Sequence, residues 1–302
     1  MFKGKLYTAI FLFGWFLLFA GNLFAEDLKL IKEETFSVSL GQELLVDAGL
    51  GDVEINSWDK NEVNVKILGN RKAEDKLKFY VEQTLSGVSV KVEKEGKLFS
   101  NWFSNLKLRI EILVPQKFDV KSNTSGGDIK IADIQGSVEA KTSGGDIKAN
   151  SLNGKLVAKT SGGDVVIKNS TGEKLLKTSG GDIKCLGSNG KVEAYTSGGN
   201  IDLQVESGAV KAATSGGDVK LVFKGENEGI KLSTSGGDIE VVLPANFKAD
   251  AALITSGGDI DCNVETSKVT KITSSKFIGE LNGGGPALDC KTTGGDVKVS
   301  TL

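Results

Sequence analysis

Aspartate recurs at a regular interval in the C-terminal part of the chain, and carboxylates at a repeated spacing can hold cations or act as acid–base pairs. Each of these aspartates closes a TSGGD or TTGGD pentapeptide, and one further copy ends in Asn200 instead. The aspartates are Asp128, Asp146, Asp164, Asp182, Asp218, Asp238, Asp259 and Asp296. If successive copies stack, their carboxylates form a file with about 4.8 Å between neighbours. Like charges at that distance repel by about 0.9 kcal/mol in water, so the file needs compensation.

Lysines supply this compensation in most copies. They stand two residues after the aspartate, so they share its outward face in a strand. These lysines are Lys130, Lys148, Lys184, Lys220 and Lys298. The copy with Asn200 carries Asp202 at the lysine position, which fits the same charge balance. We also expect the aspartate side chains to accept hydrogen bonds from backbone N–H groups at the corner.

Two copies have an acid where the others have lysine. Glu240 follows Asp238 at this position, and Asp261 follows Asp259. Because calcium prefers carboxylate oxygens, these four residues are the candidate metal site, with a solvated acidic patch as the alternative. Calcium-binding nonapeptide repeats place a glycine between their glycine pair and the aspartate. Here the aspartate follows the pair directly, so the array as a whole is not predicted to bind calcium.

Residues suited to catalysis are scarce. The chain has no histidine, which excludes Ser-His-Asp and Cys-His sites and removes the usual ligand of catalytic zinc. Paired carboxylates can hydrolyse glycosides, so a polysaccharide-acting enzyme stays an alternative. We predict a protein that is not an enzyme and needs no cofactor apart from the calcium considered above.

The three cysteines fall at positions that resemble the core positions of other copies. Cys185 and Cys262 share one apolar column, and Cys290 stands where other copies have Ala140 and Ala158. All three are therefore predicted to be core residues. A disulfide between Cys262 and Cys290 is an open alternative in an exported protein and would leave Cys185 unpaired.

The spacing of the pentapeptides predicts the fold. They begin at Thr124, Thr142, Thr160, Thr178, Thr196, Thr214, Thr234, Thr255 and Thr292, with a degenerate TSSKFI at Thr273. The first six are 18 residues apart, and the later intervals are 20, 21, 18 and 19. A period near 20 residues with alternating apolar positions is typical of a stacked solenoid. We predict an all-β protein, a parallel β-solenoid of about ten turns of 18–21 residues.

Alternating apolar positions predict the core of this solenoid. The residues one and three after each aspartate are apolar in the regular copies, as in Ile129 and Ile131. Lys174 interrupts a third column, and we expect Leu175 or Leu176 to turn inward in its place. The glycine pair is predicted to supply backbone conformations that a Cβ would resist, and the preceding Thr and Ser to bond neighbouring turns.

Composition shifts divide the chain into three regions. They are a signal peptide (1–25), an N-terminal β-rich cap (26–122) and the repeat solenoid (123–302). A GDVEI at Gly51–Ile55 already anticipates the repeat. We interpret Trp102 and Phe103 in the cap as packing residues, with a role in binding as the alternative.

The N-terminal 25 residues have the pattern of a secretory signal. Lys3 and Lys5 precede an apolar run that is too short to favour a membrane span, and a cut after Ala25 is predicted. An uncleaved anchor is the alternative; once the signal is removed, no integral membrane span is expected. The formal net charge of −2 provides no basic field, so nucleic acid is not an expected partner.

Four segments carry a resemblance to a known family: GDVEINSWDKNEV, LRIEILVPQKFDV, the reiterated TSGGDI and LNGGGP. From Phe36 to Leu302 the chain resembles a bacterial adhesin-like family of unknown function with repeated GGDI-type motifs. The resemblance implies a β-solenoid located at the cell envelope and assigns no catalytic residue.

These observations favour an exported scaffold without enzymatic activity, located in the periplasm, at the cell surface or outside the cell. Its expected partner is a glycan, the extracellular matrix or an envelope component, since a repeated surface suits a repeated ligand. A periplasmic structural or envelope-stress protein is the alternative. Ice binding is less favoured, because Thr-Ser at a corner does not form a flat face of paired threonines.

Overall fold

The computed structural model describes residues 28–95 and 105–302. The predicted signal peptide (1–25) and the pair Trp102 and Phe103 lie outside the described residues. Within them the protein is all-β apart from one short helix, α1 (Arg71–Lys76). No helix in the described ranges has both the length and the apolar character needed to cross a membrane.

The strands follow one another along the whole chain. The N-terminal part contains β1 (Lys29–Ser37), β2 (Glu43–Ala48), β3 (Asp52–Trp58), β4 (Glu62–Gly69), β5 (Leu77–Thr84), β6 (Gly87–Lys94), β7 (Leu108–Pro115) and β8 (Asp119–Thr124). The repeats contain β9 (Ile129–Ala132), β10 (Val138–Lys141), β11 (Ile147–Asn150), β12 (Leu156–Lys159), β13 (Val165–Lys168), β14 (Lys174–Lys177), β15 (Ile183–Asn189), β16 (Val192–Tyr195), β17 (Ile201–Ala213), β18 (Val219–Phe223), β19 (Asn227–Ser233) and β20 (Ile239–Leu243). The C-terminal part contains β21 (Ala249–Ile254), β22 (Ile260–Cys262), β23 (Thr266–Thr273), β24 (Lys276–Leu281), β25 (Ala287–Lys291) and β26 (Val297–Thr301).

Each regular repeat forms one coil with a strand in each of two facing sheets. Sheet A receives the strand that follows the aspartate, and sheet B receives the strand that follows the mid-repeat glycine. Neighbouring coils pair in parallel and in register, as in Ile147 with Val165 in sheet A and Val138 with Leu156 in sheet B. The long strand β17 continues from one sheet into the other. The chain is therefore solenoid-like through its middle.

Alternation along these short strands places the apolar columns between the two sheets. The strand β9 shows the pattern, because Ile129 and Ile131 are buried while Lys130 is exposed. The residues predicted for both columns after the aspartate are buried through the regular repeats. A single coil holds few core side chains, so the stack as a whole supplies the hydrophobic stabilisation.

Lys174 contradicts the expected pattern of the third column. It keeps the inward position, is only 2% exposed, and lies between apolar residues of the coils on either side. Its Nζ donates to the carbonyl oxygens of Gly172 at 2.8 Å and Asn189 at 2.9 Å. Burial lowers the pKa of Lys174 to about 8. Leu176 is buried at its ordinary place and Leu175 points outward, so neither residue replaces the lysine.

The N-terminal end of the stack does not follow the order of the chain. Strand β3 lies between β7 and β9, and β2 lies between β6 and β8. The coil made by β2 and β3 therefore stacks directly on the first TSGGD coil, and the later coil of β6 and β7 lies outside it. The predicted boundary at residue 122 is not a boundary of the stack, because the segment that anticipates the repeat is itself a coil.

The C-terminal end shows the same exchange. Strand β26 lies between β20 and β22, and β25 lies between β19 and β21. The last coil of the chain is thus inserted between two coils that precede it in sequence. The coil of β21 and β22 is therefore the outermost coil at this end, and its chain continues into β23 and β24.

Both ends of the stack are antiparallel, which corrects the prediction of a purely parallel solenoid. Strands β4 and β1 extend sheet A at the N-terminal end, and β5 extends sheet B there. Strands β24 and β23 extend sheet B at the C-terminal end. TSSKFI is not a coil: Thr273 pairs with Lys276 across a hairpin turn. This segment has no glycine pair, which the other corners use for close contact between coils.

The cysteines are free thiols, so the open alternative of a Cys262–Cys290 disulfide is not formed in this structure. Cys185 and Cys290 are buried, as predicted, whereas Cys262 is partly exposed near the end of the stack. Burial raises the pKa of all three thiols.

Candidate functional site

The threonine of each pentapeptide fastens its corner to the adjacent coil. Thr160 Oγ1 donates to the carbonyl oxygen of Gly145 at 2.8 Å, and Thr178 Oγ1 donates to that of Gly163 at 2.8 Å. The same bond is made by Thr124, Thr142, Thr196, Thr214, Thr234, Thr255 and Thr292. All of these threonines are buried. The threonine column is therefore internal and offers no surface to a ligand.

The glycine pair has two different roles within one corner. A Cβ on the second glycine, Gly181, would lie 2.1 Å from the carbonyl oxygen of Gly163, a distance that real Cβ atoms do not adopt. A Cβ on the first glycine, Gly180, would lie 3.5 Å from that of Gly162, an ordinary contact. The pair does not adopt left-handed φ angles. Close approach of the coils, and not the special backbone conformation that we predicted, requires the second glycine.

The aspartates form a continuous ladder of side-chain to backbone bonds. The N–H of Asp164 donates to Asp146 Oδ1 at 2.9 Å, and the N–H of Asp182 donates to Asp164 Oδ1 at 2.8 Å. In the order of the stack, the ladder consists of Asp52, Asp128, Asp146, Asp164, Asp182, Asn200, Asp218, Asp238, Asp296 and Asp259. We call this set the aspartate ladder. The predicted bonds to corner N–H groups are confirmed, and Asn200 makes the same bond with its amide oxygen.

These N–H donors offset the repulsion between neighbouring carboxylates. The pKa of Asp146 is lowered, chiefly by the N–H of Asp164 and then by Lys148. Lys148 Nζ lies 3.1 Å from Asp146 Oδ2, which is the kind of ion pair expected from the spacing in sequence. Carboxylates engaged in this way hold coils together.

The four residues of the candidate metal site are not direct neighbours. The last coil stands between them, so Lys298 pairs in register with Glu240 on one side and Asp261 on the other. Glu240 also accepts from Lys220 Nζ at 3.0 Å. The idea that this acidic set lacks lysine compensation is therefore wrong, because it assumed that coils stack in the order of the chain.

A shallow cavity of about 490 Å³ nevertheless brings all four of these residues to one surface. Its polar lining consists of Asp218, Asp238, Glu240, Asp259, Asp261, Asp296 and Lys298. Among the described residues, no group of three or more potential ligands is close enough to hold a metal ion. Calcium at Asp238, Glu240, Asp259 and Asp261 stays a prediction, and the lysine in their midst disfavours it.

Sheet B carries a second ordered surface that the sequence analysis missed. Lys141, Lys159 and Lys177 are in-register partners on successive strands, and Tyr195 continues the row on the next strand. We call these three lysines the lysine file. Their recurrence at 18-residue intervals is visible in the sequence. In the sequence these lysines look like the ones that neutralise the aspartate ladder. Only the structure shows that the two sets lie on different sheets.

The two faces of the stack differ in how their charged side chains are arranged. The outward side of sheet A borders the aspartate ladder and also carries Glu54 and Glu111 in register near the N-terminal end. The outward side of sheet B carries the lysine file, and in the neighbouring row Lys211 pairs in register with Glu193. Both faces therefore carry lysines and carboxylates, but the lysines of sheet A lie beside the aspartate ladder, whereas the three lysines of the lysine file follow one another with no acid between them.

Solved structures are similar to this chain only at low identity and low TM-score. A crystal structure described as a "putative adhesin" from Bacteroides fragilis is 14% identical, with 91% of this chain and 97% of that chain covered and a TM-score of 0.45. A "putative cell adhesion protein" from Clostridium sporogenes is 11% identical, with 91% and 100% covered and a TM-score of 0.23. A "putative lipid binding protein" from Parabacteroides distasonis is 14% identical, with 90% and 96% covered and a TM-score of 0.37. Similarity at this level carries no argument about function.

A search of the curated proteins finds no match. The profile of one family, Toastrack DUF4097, matches residues 42–300. This range begins at the coil of β2 and β3 and ends in β26, so it includes every coil of the stack and both exchanged ends. Because the match extends over most of its length, the chain belongs to the Toastrack DUF4097 family.

Proposed function

We propose that this protein is an exported β-solenoid of the cell envelope, an adhesin-like scaffold without enzymatic activity that binds a glycan, extracellular matrix or another envelope component. The supporting observation is how the repeated polar groups are used. The corner threonines and aspartates bond adjacent coils, so they are structural groups and not a constellation of catalytic groups. Outside the corners, each coil contributes one side chain to each exposed row that runs along the stack.

A surface of this kind suits a ligand that is itself a repeat. Each exposed contact is weak, typically below about 1 kcal/mol, and many equivalent contacts add through avidity. Export is supported by the sequence of residues 1–25, with lysines before a short apolar run. Binding and export are both testable independently of the identity of the ligand.

Internal deletion of whole repeats tests the scaffold role. Removing residues 142–159, or 142–177, joins Lys141 to a threonine of the same sequence context and leaves both exchanged ends intact. We expect sedimentation of the purified protein with envelope fractions of the native host to weaken step by step as coils are removed. Circular dichroism confirms that the shortened chains fold. A complete loss on removing one particular coil would contradict a distributed surface.

Location separates the leading function from its alternative. We would treat intact cells that express an epitope-tagged copy with protease, alongside lysed cells. Digestion on intact cells supports adhesion at the surface. Protection until lysis supports a periplasmic structural or envelope-stress protein.

A further inference from the structure

The lysine file places one ammonium group per coil on a straight line. Lys141 pairs with Lys159 and Lys159 pairs with Lys177 in parallel register, so neighbouring side chains begin about 4.8 Å apart. Three like charges at this spacing repel one another, as the aspartates do on the opposite side. On the aspartate side, backbone N–H donors and lysines offset the repulsion, whereas the lysine file has less internal compensation.

The partners of the three lysines differ along the file. Lys141 forms an ion pair with Glu139 of its own strand. Lys177 Nζ lies over the ring of Tyr195, 5.1 Å from its centroid, and Lys211 Nζ lies 5.7 Å from the same ring. Among the ion pairs of the described residues, Lys159 and Lys177 have no carboxylate within 4.0 Å. Lys159 and Lys177 therefore have no direct ion pair to break when an external anion approaches, although Lys177 also lies over Tyr195.

The row beside the lysine file is apolar at its centre. Val157 and Leu175 point outward from the same two strands as Lys159 and Lys177 and are half-buried. Glu139 and Glu193 bound this apolar pair at either end. An external ligand thus meets a narrow line of positive charge with an apolar strip at its side and acids at both limits.

We infer that the lysine file binds a linear acidic polysaccharide of the polyuronate type, lying along the axis of the stack. This inference rests on the proposed function and names its ligand class. A polyuronate carries one carboxylate on each sugar ring, so carboxylates recur along it within reach of the flexible lysine stems, and its apolar C–H faces can lie against Val157 and Leu175. The long lysine stems adjust to small differences between the two repeats.

A nucleic acid fits this surface less well. Its affinity depends on neutralising many phosphates, and single strands also need aromatic platforms for their bases. Here Glu139 and Glu193 flank the lysines, and Tyr195 is the one aromatic ring in the row. Duplex DNA is therefore a useful competitor in the test.

Affinity electrophoresis of the purified protein tests the inference. Native gels contain polygalacturonate, or the same polymer after methyl esterification, which keeps the sugar backbone and removes the charge. We expect retardation by the acid form only, decreasing as ionic strength rises. Lys159→Gln with Lys177→Gln should weaken the binding about tenfold. Lys130→Gln with Lys184→Gln removes the same charge from sheet A and should leave binding unchanged.

Three results would overturn the inference: no retardation of the wild-type protein, equal loss in both double variants, or equal retardation by duplex DNA at the same charge concentration. Sedimentation with envelope fractions is measured in parallel on all three proteins. If the wild-type protein sediments and both variants do so equally, the proposed function stands and the lysine file is not its site. If the wild-type protein binds neither probe, both proposals fail.

Discussion

The backbone N–H of Asp296 donates a 2.8 Å hydrogen bond to Oδ1 of Asp238, although 58 residues separate them. The bond has the same length as that between Asp146 and Asp128, which belong to consecutive repeats. Asp259, which closes the next pentapeptide after Asp238 in sequence, instead donates to Asp296. The last repeat of the chain is therefore an interior member of the aspartate ladder.

Engineered disulfides would verify this order of coils. In a variant with the three native cysteines changed to Ala, we expect Glu240→Cys with Lys298→Cys to cross-link on mild oxidation. Their Cα atoms lie on adjacent paired strands, about 4.8 Å apart, which a disulfide can bridge. Peptide mapping by mass spectrometry detects the bond.

The matched control for this experiment is Glu240→Cys with Asp261→Cys. Strand β26 separates these positions, so they are about 9.6 Å apart and too distant for a disulfide. If the control pair cross-links and the first pair does not, the coils stack in the order of the chain.

The glycine pair should respond asymmetrically to alanine. Gly181→Ala forces a methyl group against the carbonyl oxygen of Gly163, so we expect a loss of about 3 kcal/mol or more in the free energy of unfolding. Gly180→Ala meets only ordinary contacts and should change it by less than about 1 kcal/mol. Chemical denaturation of both variants gives the comparison. Equal losses would show that the corner needs glycine for its backbone conformation.

Asp146 should be replaceable by asparagine but not by alanine. Asp146→Asn keeps an oxygen acceptor for the N–H of Asp164, as Asn200 does for Asp218, so stability at neutral pH should change little. Asp146→Ala leaves that N–H without its acceptor and should cost about 1 kcal/mol or more. Similar losses for both variants in urea denaturation would mean that the charge, and not the bond, is what stabilises the ladder.

Acidification extends this comparison. The pKa of Asp146 in the folded protein is held below its ordinary 3.8, so its charge stabilises the fold above that value. This contribution is lost as the pH falls through the folded-state pKa, where the unfolded chain binds the proton more readily. The wild-type protein should therefore lose more stability below about pH 4 than Asp146→Asn does. Parallel acid denaturation curves for the two proteins would contradict this.

Lys174→Met should stabilise the protein in a pH-dependent way. Burial lowers the pKa of Lys174 from 10.5 to about 8, so the unfolded chain binds the proton more tightly between these two values. Wild-type stability consequently rises with pH across that window, and below it the cost of the buried charge is constant. Methionine has no charge to bury, so its advantage should be largest below pH 8, on the order of 3 kcal/mol, and should shrink towards pH 10.5. Denaturation at pH 6.5 and 10.5 gives the two values, and equal differences would show that Lys174 keeps its ordinary pKa in the folded protein.

The middle of the fold could be predicted because its period is constant. Pentapeptides 18 residues apart can stack only in register, and this places Ile129 and Ile147 in one buried column and their aspartates in one ladder. Lys174 shows the limit of such reasoning. A lysine in an apolar column is expected to leave the core, but two carbonyl oxygens within reach of Nζ keep it there.

The ends could not be predicted, because every corner presents the same bonding groups. The N–H of Asp259 donates to Asp296, but Asp238 would offer it an equivalent acceptor. The pentapeptides themselves therefore do not specify their order. The connecting segments distinguish the two arrangements. Asn282 Nδ2 donates to the carbonyl oxygens of Ala245 and Phe247, which ties the C-terminal hairpin to the segment before β21. Such contacts between loops leave no periodic signal in the sequence.

The two candidate sites show the same contrast between the regular repeats and the rearranged ends. Asp238 and Asp259 close pentapeptides that follow one another in the sequence but are separated by Asp296 in the stack, so the assumption behind the acidic set is wrong. Lys159 and Lys177 belong to repeats that are neighbours both in the sequence and in the stack, so the constant period alone aligns them.

The insertion of the last coil between β20 and β22 also limits how such a protein can evolve in length. A repeat added after Thr301 would have to emerge from the interior of the stack, and one added before β2 would meet the same obstacle at the other end. Whole repeats can enter only where consecutive copies lie next to each other, between Thr124 and Thr234. Unequal recombination within that stretch of the gene would add coils at the centre of the structure and leave both of its ends unchanged.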